Sequence, residues 1–321
     1  MLYKKRKMPN KLKGLISLDK RLPNDHEKRH YISEELYNRK AGYGGEQQYD
    51  KCMTEFKPAY PHAILHDVCL KQDGVYFQMD SILITPAFIA ISEVKNIAGK
   101  IIITSNPTQF IRVLPSGERK VLKSPIVELE RKQFFLFNWL KQRSITLPIT
   151  GVVVFAYNNE LVIEQIPETK ILFAYEAPSY FRTLPINKDS LTNKDIQNLA
   201  FELIKNHQEY TPFPMAITTN IQPAKIKPGV ICPQCTQFSM IWEMKKWTCL
   251  HCKHTGIHEH KAAIEDWFIL INNKLTNREF RYFTQIEDRN VARRLLAKSD
   301  LVLQGNRNTA YYARKKDQSP T

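Results

Sequence analysis

The stretch Gln78-Met79-Asp80-Ser81-Ile82-Leu83-Ile84-Thr85-Pro86-Ala87-Phe88-Ile89-Ala90-Ile91-Ser92-Glu93-Val94-Lys95-Asn96 decides the fold. It reads as two largely apolar, β-branched strands around a short Thr-Pro-Ala break. Its strong charges are Asp80 near one end and Glu93 and Lys95 at the other. A turn centred between Pro86 and Ala87 sets residues whose numbers sum to 173 opposite each other, so Asp80 faces Glu93 and Lys95 shares that face. Like charges across a ladder repel. A divalent cation between the carboxylates, with Lys95 beside it, accounts for the pair.

Working outward, Ile64 to Leu70 and Gly74 to Phe77 read as strands leading into this hairpin, and Lys100 to Thr104 as a strand after Gly99. Phe110–Val113 and Arg119–Leu122 form a hairpin through Pro115-Ser116-Gly117. Ser124 followed by Pro125 starts a helix that runs to Leu140. Gly151-Val152-Val153-Val154-Phe155 has the apolar run of a central strand. Leu161–Ile163 and Ile171–Phe173 add strands, and Lys194–His207 a helix. Upstream, residues 27 to 56 are helical in composition, interrupted at Gly42-Tyr43-Gly44-Gly45. Glu46 would then open a second helix, where the helix dipole suits a carboxylate. Taken alone, Glu46 is an N-terminal helix acid. The expected architecture is α/β, a mixed sheet flanked by helices over residues 27–210.

The chain of 321 residues carries a formal charge of +15, which points to a polyanionic partner, nucleic acid first. Residues 1–40 hold twelve Lys or Arg against five Asp or Glu, and residues 1–26 lack evident periodicity, so a flexible basic arm is expected there. No run approaches the roughly 18 apolar residues of a membrane span, and no apolar signal core follows the basic start. The expectation is a cytoplasmic protein without a membrane partner.

Of six cysteines, four form Cys232-Pro233-Gln234-Cys235 and Cys249-Leu250-His251-Cys252, separated by thirteen residues. This is the spacing of a zinc ribbon over residues 230–257, with a hairpin through Ile241 to Trp247 and one structural Zn²⁺ held by four thiolates. His251, His254, His258 and His260 read as surface groups before substitute ligands, and Cys52 and Cys69 as reduced thiols. Four prolines between residues 212 and 228 mark residues 211–229 as a linker. Residues 258–321 read as helix, helix, helix, hairpin, with a Thr276 to Glu279 capping box and Asp288 as the third N-cap. That order resembles a winged helix and assigns Arg289, Arg293, Arg294 and Arg307 to DNA contact, against a helical cap with solvated arginines.

The segment from about Gly44 to Leu140 resembles the NERD family, the nuclease-related domains of the PD-(D/E)xK restriction-endonuclease-like group. The resemblance rests on Gly45-Glu46, Met79 to Ile84, Ile91 to Asn96 with Gly99, and the Ser124-Pro125-Ile126 helix start. It implies a restriction-endonuclease-like fold with Asp80 and Glu93 as ligands of Mg²⁺ or Mn²⁺, Lys95 as the catalytic lysine, and Glu46 as an additional acid. The family tends to carry glutamine where this chain has Glu128, which either adds a ligand or charge to the catalytic set or is structural. The expected activity is metal-dependent hydrolysis of DNA, preferably duplex. The alternatives are a non-catalytic nucleic-acid binder on the same scaffold and an assembly component docked through its ribbon. Analogy with the fold points to a homodimer, since duplex cutting addresses two strands.

Overall fold

Val75–Ile84 and Ile89–Lys95 pair antiparallel with Ser81 opposite Ser92, Ile82 opposite Ile91, Leu83 opposite Ala90 and Ile84 opposite Ile89. These pairs carry the expected register. The turn between them is closed by the Thr85 N–H donating to the Phe88 carbonyl at 2.9 Å, while the buried Thr85 hydroxyl accepts from the Phe88 N–H at 3.0 Å.

The computed structural model describes residues 1–105, 107–186 and 191–315. In chain order, β1 (Leu2–Lys4), α1 (Asn10–Arg21) and α2 (Arg29–Met53) precede β2 (Ala63–Gln72), β3 (Val75–Ile84) and β4 (Ile89–Lys95). Then come β5 (Lys100–Ser105), β6 (Thr108–Val113), β7 (Arg119–Leu122), α3 (Pro125–Lys141), β8 (Ile149–Phe155), β9 (Leu161–Ile163) and β10 (Lys170–Phe173). Helices α4 (Ala177–Thr183), α5 (Asn193–Lys205) and α6 (Met215–Thr218) lead to β11 (Met240–Glu243), β12 (Lys246–Cys249) and β13 (Thr255–Gly256). The chain continues through α7 (His260–Leu270), α8 (Asn277–Thr284) and α9 (Arg289–Ala297) to β14 (Leu301–Gln304) and β15 (Tyr311–Arg314).

Two units result: Met1–Met8 with Asn38–Tyr210, and Pro9–Tyr37 with Thr211–Thr321. The first is mixed α/β. Its six-stranded sheet runs β1-β2-β3-β4-β8-β10, with β4, β8 and β10 mutually parallel, beside a four-stranded sheet β7-β6-β5-β9. On one face, Ile89 and Ile91 pack with Leu129, Leu136 and Trp139 of α3 and with Leu199 and Leu203 of α5. On the other, Ala90, Val152 and Val154 pack with Tyr49 and Met53 of α2 and Phe181 of α4.

The inward face changes parity along two strands. Leu65 and Val68 of β2, and Met79 and Ile82 of β3, reach the same core although alternation would send them to opposite faces. Asp67, at φ 56°, sits at the change in β2, and Asp80 and Ser81 span the change in β3. A local irregularity of this kind re-aims side chains, and here it turns polar groups of both strands toward one place.

Two sequence expectations are corrected in the N-terminal third. Residues 1–26 were expected as a flexible arm, yet they hold β1 and α1, because Leu12, Leu15 and Leu18 lie three apart and are buried among the lysines. The glycines do not interrupt a helix: α2 runs unbroken through Gly42–Gly45. Gly45 is there for contact, since a Cβ on it would stand 2.5 Å from Asn96 Cβ and 3.1 Å from Ala156 Cβ. Asn96 in turn donates to the Ala41 carbonyl at 2.8 Å.

In the second unit, the segment expected as a linker, 211–229, contains α6 and buries Met215, Ala216, Ile221 and Ile226. These apolar side chains make it packed structure. Arg21 is buried in the same unit, where its Nε donates to Asp266 Oδ2 at 2.7 Å and its Nη1 to the Lys227 and Gly229 carbonyls at 2.9 and 3.1 Å. The order helix, helix, helix, hairpin holds, with β14 paired antiparallel to β15. The Thr276 to Glu279 capping box forms, and Asp288 accepts from the Asn290 and Val291 N–H groups at 2.6 and 2.8 Å. No helix among the described residues is long and apolar enough to cross a membrane.

Candidate active site

Strand β4 ends with Glu93 and Lys95 on the face that Ile89 and Ile91 share, the face covered by α3. Lys95 Nζ lies 2.9 Å from Glu93 Oε1 and 2.6 Å from Glu128 Oε2, so Glu128 joins this cluster through Lys95. One turn further along α3, Lys132 Nζ donates to Glu93 Oε2. Burial opposes the charge on both lysines, but the carboxylates outweigh it. Glu93 with the hydrogen bond to Glu128 raises Lys95, and Asp80 with Glu93 raises Lys132.

The ladder between β3 and β4 stops at Ser81 and Ser92, and the next pair is replaced by a side-chain contact. Asp80 Oδ2 accepts from the Val94 N–H at 2.8 Å, which anchors its carboxylate beside the β4 backbone. Asp80 and Glu93 are 8% and 3% exposed. Burial first, and the Asp80 carboxylate second, push Glu93 above the usual range against the pull of Lys132 and Lys95.

Glu46 lies within α2, not at a helix start, which corrects the expected dipole role. Its Oε2 accepts from Arg6 Nη1 at 2.7 Å. Burial and then the Asp80 carboxylate push Glu46 up to about 8, although Arg6 opposes them. Arg6, from the segment after β1, also grips Asp50 through Nε and Nη2 at 2.9 and 3.0 Å and the Asp80 carbonyl through Nη2 at 2.7 Å. His66 Nδ1 stands 3.1 Å from both Asp50 Oδ1 and Ser81 Oγ. Burial, Arg6 and Lys4 lower His66 to about 3, so it is neutral. Behind this cluster Tyr49 and Ser92 share a buried hydrogen bond of 2.7 Å.

All five expected acid and lysine positions thus belong to one cluster, directly or through Lys95. Arg6, Asp50 and Lys132 were not anticipated. Asp50 and Lys132 had a local signal, since each follows a singled-out glutamate by four residues and so shares its helix face. Arg6 had none, because nothing distinguishes it within Lys4-Lys5-Arg6-Lys7.

The donor set can be tested against a hard divalent cation. Glu46, Asp80 and Glu93 offer oxygen ligands from three elements, and burial first, with the Asp80 carboxylate second, raises Glu46 and Glu93 against the pull of Arg6, Lys95 and Lys132. Oxygen donors are the right chemistry for such an ion, but the three carboxylates do not bring their oxygens within 4.8 Å of one another in this structure. A pH dependence follows without added metal. Folded Glu46 keeps its proton up to about 8 while the unfolded chain releases it near 4.5, so stability should fall as pH rises between those values. Glu46→Gln is expected to flatten this slope, whose total across the window is on the order of a few kcal/mol. Urea midpoints measured across that range check it; an unchanged slope in the variant would refute it.

In the second unit Cys232, Cys235, Cys249 and Cys252 bring their sulfurs within 4.8 Å of one another, the only such metal-competent group among the described residues. Two of the separations are 3.6 Å. Four thiolates tetrahedral about one Zn²⁺ lie about 3.8 Å apart, so the cluster is compatible with a zinc ribbon. The four histidines lie outside that group: His254 Nε2 lies 3.5 Å from Glu259, and His260 accepts from Trp247. Arg289, Arg293, Arg294 and Arg307 are exposed, the first three on α9 and the last beyond β14.

No curated protein and no solved structure matches the chain. Residues 41–156, which contain Glu46, Asp80, Glu93, Lys95 and Glu128, match the model of the NERD family, described as nuclease-related domain, and this match supports the NERD family and a nuclease-related function for that part of the chain.

Proposed function

We propose that the chain is a metal-dependent nuclease that hydrolyses phosphodiester bonds of DNA, with its zinc ribbon and a winged-helix-like tail selecting the DNA. The observation that carries this reading is the placement of half-buried Glu46 with buried Asp80 and Glu93, Lys95 being seated on Glu93. Asp80 and Glu93 would hold Mg²⁺ or Mn²⁺, with Glu46 as the third acid. Such an ion, when bound, neutralises phosphate charge and acidifies a water.

The chain's own groups supply the rest. Lys95 stays protonated between Glu93 and Glu128, so it can donate hydrogen bonds to the attacking water or to a phosphate oxygen as charge develops there. Glu128 aims that ammonium and does not need to touch metal. Arg6 holds Glu46 and the Asp80 backbone in place. Lys95→Ala is expected to lower metal-dependent cleavage of labelled DNA by about 10²–10³-fold. Cleavage unchanged in that variant and in Glu93→Ala would remove this site from the reaction.

A second reading has its own observation. Lys95 and Lys132 take both oxygens of Glu93, and Arg6 takes Glu46, so protein cations already face the acids. In that reading the chain binds nucleic acid on a nuclease-like scaffold without cutting it. Binding without cleavage under every metal condition would favour it.

For the tail, Arg293 and Arg294 lie on the exposed face of α9 and would contact duplex phosphates. Replacing both by alanine is expected to weaken duplex binding and to reduce the slope of log affinity against log salt by about two. Equal affinity across salt would remove these arginines from the interface. A homodimer would present two sites to two strands, and sedimentation of the full chain tests it.

A further inference from the structure

A cavity of about 230 Å³ lies in the second unit between the β11–β12 hairpin and α9. Val291 and Leu295 of α9 and Ile257 give it apolar walls, and Trp242 contributes a half-buried indole that meets Trp247 edge-on at 5.5 Å. Lys245, Arg294 and Lys298 line it together with His258, no carboxylate does, and none of the three cations is in a salt bridge among the described residues. Asp288 is close enough to feel Arg294 but already caps α9. A pocket lined by an indole, apolar side chains and unpaired cations is matched to a planar ring attached to a phosphate.

His260, 2% exposed, also lines the cavity. The Trp247 indole N–H donates to its Nδ1 at 3.2 Å, so the ring proton of the neutral imidazole is on Nε2. That Nε2–H is buried without a partner among the described residues. The volume is below the roughly 300–1,000 Å³ of pockets for drug-sized ligands, which suits one ring system and excludes a folded partner.

We propose that this pocket receives one unpaired nucleobase of a single-stranded nucleic-acid segment, its ring against Trp242 and its flanking phosphates on Lys245, Arg294 and Lys298. The proposal rests on the reading of the second unit as a nucleic-acid binder and is independent of whether the first unit cuts. It gives that unit a hold on frayed or single-stranded ends in addition to the duplex contacts of α9. Stacking on an aromatic side chain is sequence-tolerant, so no base identity is demanded.

The test measures binding of the full, zinc-loaded chain to short labelled single-stranded DNA and RNA without Mg²⁺ or Mn²⁺. Each oligonucleotide is compared with an abasic strand of equal length and charge, and free nucleoside monophosphates are run as competitors. Base-bearing strands are expected to bind about tenfold or more tightly than abasic ones. Trp242→Ala should erase that difference, Trp242→Phe should retain part of it, and Val291→Trp, which fills the cavity from α9, should erase it with every ribbon residue unchanged. Zinc content equal to wild type certifies each variant. Lys298→Ala should weaken base-bearing and abasic strands alike. Competition by monophosphates at low concentration would shift the ligand from the polymer to a free nucleotide and overturn the single-strand assignment. Equal affinity for base-bearing and abasic strands overturns the pocket while leaving nucleic-acid binding intact, whereas no binding of either overturns both readings.

Discussion

Replacing Glu93 by alanine is expected to abolish metal-dependent DNA cleavage, a loss of about 10³-fold or more, because in the proposed reaction the substitution removes a ligand oxygen and the group that orients Lys95. It should also loosen the first unit. Lys132 is largely buried and donates to Glu93 Oε2, while Lys95 keeps Glu128 when Glu93 is gone. Breaking a buried pair by removing one partner costs about 3–5 kcal/mol, and the remaining Glu128 contact should hold the penalty to the lower part of that range. Glu93→Gln separates the two effects. It keeps the shape and an acceptor oxygen, so it should recover part of the stability in urea unfolding and none of the cleavage. Cleavage restored by Glu93→Gln would mean that the carboxylate charge is dispensable, which no ion-binding role allows.

Zinc removal is expected to have the largest effect on stability. Cys232, Cys249 and Trp247 are fully buried, so a zinc ion on these thiols would sit inside the module. Structural zinc sites contribute roughly 10–16 kcal/mol of apparent binding free energy to such modules, and the apo form does not fold. Cys232→Ser, or a strong chelator, should therefore unfold the β11–β12–β13 sheet and release about one zinc per chain. Trp242, Trp247 and Trp267 all lie in the second unit and Trp139 in the first, so intrinsic fluorescence reports mainly the unit expected to change. A chain that binds no zinc, or keeps its fluorescence and secondary structure in chelator, would contradict the ribbon assignment.

Much of the first unit was legible in the sequence because its decisive information is local. β-branched runs fix strands, Ser124-Pro125 fixes a helix start, and a three-residue break between apolar runs leaves few registers open. Charges within an apolar hairpin are expensive unless used, which is why Asp80, Glu93 and Lys95 stood out. What was not legible depends on contacts distant in sequence. The glycines at 42–45 resemble a break, yet Gly45 is dictated by Asn96 and Ala156, more than fifty residues away. Arg6 acquires its role only when β1 pairs with β2, laying the N-terminal segment beside α2 and β3. The helix α1 was hidden because lysines surround its three leucines and flatten the apolar signal. Likewise the linker reading followed the prolines and overlooked Met215, Ile221 and Ile226, which are buried.

Glu128 illustrates how geometry narrows a choice that composition leaves open. Its oxygen is on Lys95, so in the proposed reaction it orients the lysine and holds it charged. Lys132 is the counterpart on the same helix, and it holds Glu93 as Glu128 holds Lys95. The two pairs cross between α3 and β4, and together they set the geometry at the end of β4.

The central claim is that the buried carboxylates hold a divalent cation that makes this chain a DNA-cutting enzyme. End-labelled duplex DNA, single-stranded DNA and RNA should be incubated with the full chain in Mg²⁺, in Mn²⁺ and in neither. The account predicts fragments from DNA only where the divalent ion is present; intact substrates in every condition, with binding retained, would contradict it.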